Sequence, residues 1–157
     1  MFMRSLADVG KVIDQPASED VRQALASALR YFAQAAPKHT ADEEASLFPR
    51  MRLVDSAEVR SAFAELDVLE GDHRTAESLH AEVDQLGKHY LATGSLKGTE
   101  VGRYREAVAA LQSIYQRHIK VEDEIIFPLA SRILPPQDKS AIANEMAERR
   151  EVITPKM

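Results

Sequence analysis

One phrase is written twice in this chain, and it constrains the fold more than any other feature. His39-x-x-x-Glu43-x-x-x-x-Phe48-Pro49 recurs as His118-x-x-x-Glu122-x-x-x-x-Phe127-Pro128, with the same internal spacing and an offset of 79 residues (118 − 39). A histidine and a carboxylate four apart share one face of a helix, about one turn from each other, so both can point at the same buried ion. A third pair at that spacing, His73 and Glu77, lies between the copies. A single pair of this kind is usually a solvated contact on a helix surface. Three pairs, two of them sharing a Phe-Pro at fixed distance, from a chain with five histidines, are the makings of a carboxylate-bridged metal site set among helices.

The remaining sequence supplies those helices, since its apolar residues recur at helical rather than strand spacing. Phe2, Leu6, Val9 and Ile13 predict a first helix that ends near Asp14-Gln15-Pro16. It begins inside its own apolar stripe, with no cap ahead of Phe2 and Met3, as a helix truncated at its N-terminus would. Ser18, Glu19 and Asp20 start a second helix with acids in the first turn. That helix turns Val21, Leu25, Leu29 and Phe32 inward, and Pro37 kinks or restarts it on the way to Phe48-Pro49. Asp55 or Ser56 opens the third helical region, which Gly71 locally loosens and Gly94 ends as a left-handed cap. Residues 95–98 are a loop. Thr99-Glu100 opens the fourth helix, carrying Val108, Leu111, Tyr115 and His118 to Phe127-Pro128. After Pro135-Pro136 comes a short helix with Ile142 and Met146 inward, then a polar tail. The expected fold is all-α: an up-down-up-down four-helix bundle with a short C-terminal helix, one domain over residues 1–157.

Composition removes several function classes. The formal net charge is −5, the pI is near 5.6, and no stripe of Lys and Arg offers itself to nucleic acid. No apolar signal core opens the chain and no stretch approaches a membrane span, so the expectation is a cytoplasmic protein with neither nucleic-acid nor membrane partner. There is no cysteine, which leaves any metal to imidazole and carboxylate.

Carboxylates readily bridge two hard or borderline cations, and neutral imidazoles complete each coordination shell. His39 with Glu43, His73 with Glu77, and His118 with Glu122 supply three imidazoles and three carboxylates from three long helices. Six ligands are too many for one structural zinc and suit two metals with open positions; iron leads, with manganese or zinc as alternatives. His80 falls within about 20° of His73 on the helical wheel but about 10 Å further along, and reads as a core or supporting histidine. His89, beside Lys88 in the last turn before Gly94, reads as surface. Tyr115 either hydrogen-bonds near the metal or simply packs. Phe48 and Phe127 are expected to wall the site, with the prolines ending regular helix just after it. Phe32, Leu111 and Ile114 read as core. Glu70-x-x-His73 and Glu77-x-x-His80 match the spacing of ferritin-like di-iron proteins, but both lie on one helix where that fold needs two.

These residues resemble the hemerythrin-like proteins, the HHE cation-binding domains, over nearly the whole chain. The resemblance is carried by His39-Thr-Ala-Asp-Glu43-Glu44-Ala-Ser-Leu-Phe-Pro, by Glu-Gly-Asp-His73-Arg-Thr-Ala-Glu77, and by His118-Ile-Lys-Val-Glu122-Asp-Glu-Ile-Ile-Phe-Pro. It implies two non-haem iron ions joined by an oxo, hydroxo or water bridge. Glu43 and Glu122 would be the bridging carboxylates, His73, Glu77 and His118 ligands to one metal, and His39 a ligand to the other. Two departures from the family pattern matter. The family places a further histidine on its first helix, whereas no histidine precedes His39 here. Either the start is assigned too late or the protein lacks that ligand, and the His39 side is expected to be weaker, with Glu44 able to lend an oxygen. Glu77 stands where oxygen-carrying hemerythrins have histidine, and an anionic ligand favours higher oxidation states. The resemblance, so modified, implies sensing of or response to oxygen, peroxide or nitric oxide rather than oxygen carriage. The alternatives are a di-iron oxidase or peroxidase-like enzyme and a metal-free helical interaction module.

Overall fold

The helical periodicity is realised throughout the computed structural model, which describes residues 1–150; among these there is no strand. The order is α1 (Phe2–Val12), α2 (Glu19–Ala41), a first π-helical turn (Asp42–Leu47), α3 (Phe48–Arg52), α4 (Ala57–Ser61), α5 (Phe63–Thr93), α6 (Thr99–Val121), a second π-helical turn (Glu122–Ile126), α7 (Phe127–Ile133) and α8 (Pro136–Arg149). The polar tail expected after α8 lies outside the described residues. Two compact units are formed among the described residues, one from Met1–Gln34 with Asp72–Arg117, the other from Ala35–Gly71 with residues 118–150.

In the first unit, α1 and the portions of α2, α5 and α6 that belong to it share one apolar core, the four-helix arrangement that the periodicity predicts. Leu6, Val9 and Ile13 come from the α1 stripe, Leu25 and Leu29 from α2, Val83, Leu86 and Tyr90 from α5, and Tyr104, Val108 and Leu111 from α6. The two large phenols are buried with their hydroxyls satisfied, as a polar tip in an apolar core must be: Tyr104 donates to the Leu6 carbonyl at 2.9 Å and Tyr90 to the Gln15 carbonyl at 3.1 Å. Gly94 ends α5 with φ +83°, a left-handed conformation that a side chain would strain. Its N–H closes on the Tyr90 carbonyl, and its own carbonyl accepts from Ala17 N–H. Ser18 caps α2 through Val21 N–H, as expected.

The second unit has its own core, built from Phe48, Met51, Val59, Leu66, Leu69, Ile126 and Leu129. Here several expectations change. Of the two alternatives at Pro37, the restart does not occur, because α2 runs through it to Ala41. The region after Ser56 is two helices, the five-residue α4 and then α5, which continues unbroken past Gly71. Helix α8 buries none of its residues. Ile142 packs partly on the core, but Met146 is exposed rather than inward. Electrostatic contacts hold α8 in place of an apolar stripe.

Candidate metal centre

Each copy of the repeated motif builds the same local structure. Phe48 N–H donates to the Glu43 carbonyl and Phe127 N–H to the Glu122 carbonyl, five residues back instead of four. The next residue in each copy is proline, which has no N–H and whose ring collides with the carbonyl four residues earlier in a regular α-helix. Widening the turn by one residue makes room for the ring, and helix resumes as α3 and α7. The expectation that the prolines end regular helix is therefore corrected: helix continues through both as α3 and α7. Turns of this kind recur at functional sites. In this chain each begins at or beside the glutamate of the motif. Of the two motif phenylalanines, Phe48 lies 1% exposed in the second unit's core, but Phe127 is 41% exposed and faces solvent instead of walling a buried site.

Glu43, His118 and Glu122 converge inside the second unit. All three are buried. Nε2 of His118 lies 3.4 Å from Oε1 of Glu43 and in direct contact with Oε1 of Glu122. Two carboxylates thus face one imidazole nitrogen in a setting short of water, where uncompensated negative charge is costly. A cation between them would offset that charge. In the protein alone that cation is a proton: burial would lower the His118 pKa, but the hydrogen bonds and charges of Glu122 and Glu43 outweigh it and hold the group up at about 10. Burial pushes Glu122 in the opposite sense for an acid, above its ordinary value, helped by Glu43 and opposed by His118. Oxygen and imidazole donors converging on a small buried volume also suit a hard or borderline metal ion, and ligand atoms of Glu43 and His118 lie within 4.8 Å of each other. The residues present fit a bound cation.

The other sequence-predicted ligands are less enclosed. His39, on α2, and Glu77, on α5, are exposed; His73, on α5, is half-buried. His89 is on the surface as expected, 3.8 Å from Glu100. His80 Nε2 and the Tyr115 hydroxyl share a 2.7 Å hydrogen bond in the first unit, so the two residues whose roles the sequence leaves open answer each other. Burial lowers the His80 pKa below its ordinary value, favouring the neutral imidazole. Sequence reasoning missed Asp42 and Ser46. Both are buried polar residues of the first π-turn, and both are bonded to α8 more than ninety residues away, so no local spacing could have signalled them.

Among known families, the hemerythrin HHE cation-binding domain matches residues 2–130. No curated protein matches the chain.

Proposed function

The chain belongs to the hemerythrin HHE cation-binding family, and from that premise we propose that it holds two non-haem iron ions and acts in the cytoplasm in sensing or responding to oxygen, peroxide or nitric oxide. The observation that carries this reading is the convergence of the Glu43 and Glu122 carboxylates on Nε2 of buried His118. Those two carboxylates would bridge the ions, and His118 would bind one of them. By the family motif His73 and Glu77 would be ligands to the ion that His118 binds, and His39 a ligand to the other. Iron bound there supplies a redox-active Lewis acid that can take up a small ligand. The protein's own residues neutralise it, orient it through the paired carboxylates and shield it by burial. Glu77, an anion in place of a neutral imidazole, favours the oxidised metal and so a responsive centre over a reversible carrier.

Metal content per chain, measured on protein produced with added iron and on the His118→Ala variant, tests the reading. Iron in the wild type that is lost from the variant supports it. Because His39 is exposed, the second ion is expected to dissociate first on dialysis. A wild type without metal would leave a helical interaction module. Sustained peroxide turnover that requires His118 would move the protein into the enzyme class.

A further inference from the structure

The first π-turn buries Asp42 and Ser46 on either side of Glu43 in sequence, 7% and 0% exposed, and neither is needed as a metal ligand. Both are held by α8. Arg150, which caps that helix, grips Asp42 with a fork: Nη1 donates to Oδ1 at 3.1 Å and Nη2 to Oδ2 at 2.6 Å. Arg149 adds Nη1 to Oδ1 at 2.9 Å and Nη2 to the Ser46 hydroxyl at 2.5 Å. Ser46 in turn donates to Glu145 Oε1 at 2.6 Å. Arg50, from α3, binds both oxygens of Glu145 at 2.8 and 2.7 Å and the Ser46 carbonyl at 3.0 Å.

Stability alone is a poor account of so many charge-assisted bonds at one place. Helix α8 buries no residue, so its attachment to the unit leans on this cluster, and the cluster engages the π-turn together with the α3 arginine that follows it. The turn needs such support, since Pro49 deprives it of a backbone donor. Fixing Asp42 and Ser46, which bracket Glu43, fixes the rotation of the backbone that carries Glu43. The arginines also neutralise Asp42, a buried carboxylate whose charge would otherwise be costly. The matched family region ends at residue 130, and α8 lies wholly beyond it.

We infer that Arg149 and Arg150 are positioning residues: acting through Asp42 and Ser46, they set the direction in which Glu43 presents its carboxylate to the bound cation. The inference rests on the metal-binding function proposed above. Groups that orient metal ligands typically change affinity by about 10–100-fold when removed.

Cobalt(II) titration of the whole chain, followed by the visible absorption of the ion, separates the two ideas. Wild type and Arg149→Gln/Arg150→Gln are compared with Leu66→Ala, which weakens the same unit's core without touching the cluster. In the double variant, affinity should fall by about tenfold and the absorption bands should shift, because the ligand geometry has changed. Leu66→Ala should melt earlier yet, while folded, bind cobalt with the wild-type affinity and spectrum. Wild-type affinity and spectrum in the double variant would overturn the inference and leave the proposed function standing. No cobalt bound by the wild type would overturn both. Should the double variant fail to fold, Asp42→Asn keeps the side chain's size and an accepting oxygen while removing the charge that the arginines grip. It should show the same loss, and unchanged binding there would also refute the inference.

Discussion

At His118 the competition between burial and charge decides what the side chain carries. Burial alone would strip its proton, but the buried carboxylates of Glu122 and Glu43 keep it, so the imidazole stays charged up to about pH 10. A metal ion taking the same position must displace that proton. Cation binding is therefore expected to release protons at neutral pH, and apparent affinity should rise as pH climbs from about 7 towards about 10. Calorimetric titrations in two buffers of different ionisation enthalpy measure the release directly. Identical heats in both buffers would contradict the protonated imidazole. The acid in this group, Glu122, moves the other way from an ordinary exposed glutamate, because burial and the neighbouring Glu43 both oppose its charge.

Among the elements, the π-turns and α8 decide the most. Replacing Pro49 by alanine returns the missing N–H and removes the ring that forces the wide turn. The segment should relax towards a regular α-helix, with unchanged or higher thermal stability but weaker cation binding, as Glu43 rotates away from His118. Melting curves and a metal titration on one sample test this, and unaltered affinity would mean that the proline does not shape the site. Helix α8 should respond to acid. Arg50 and Ser46 hold the Glu145 carboxyl down at about 2, against an ordinary 4.5. A depressed carboxylate contributes stability that is complete above its unfolded pKa and is lost as pH falls through the folded one. Release of α8 is thus expected between about pH 4.5 and 2, read as faster amide exchange along residues 136–149. Glu145→Gln should already show faster exchange there at pH 7 and a flatter response to acid.

For the whole molecule, a metal that binds the folded chain and not the unfolded one raises stability by mass action, about 2.7 kcal/mol at a hundredfold excess over Kd. In a chain of this size that corresponds to a Tm about 5–10 °C higher, which chelation should abolish; an unchanged Tm would argue that the ion contributes nothing to the fold. No helix among the described residues is long and apolar enough to cross a membrane. Much of this was legible in the sequence, for a physical reason. Helical periodicity, the Ser18 cap, the Gly94 stop and the paired His-x-x-x-Glu spacings are local, and a helix turns local spacing into a shared face. By itself the sequence determined the all-α class and the stripes of the first core, and it singled out Glu43, His118 and Glu122, whose side chains meet in the fold. Only the tertiary structure decided the wide turns at Pro49 and Pro128, the exposure of Phe127 and Met146, the pairing of His80 with Tyr115, and the grip of Arg149 and Arg150 on Asp42. Those outcomes depend on which side chains meet across tens of residues, and no periodicity records such meetings.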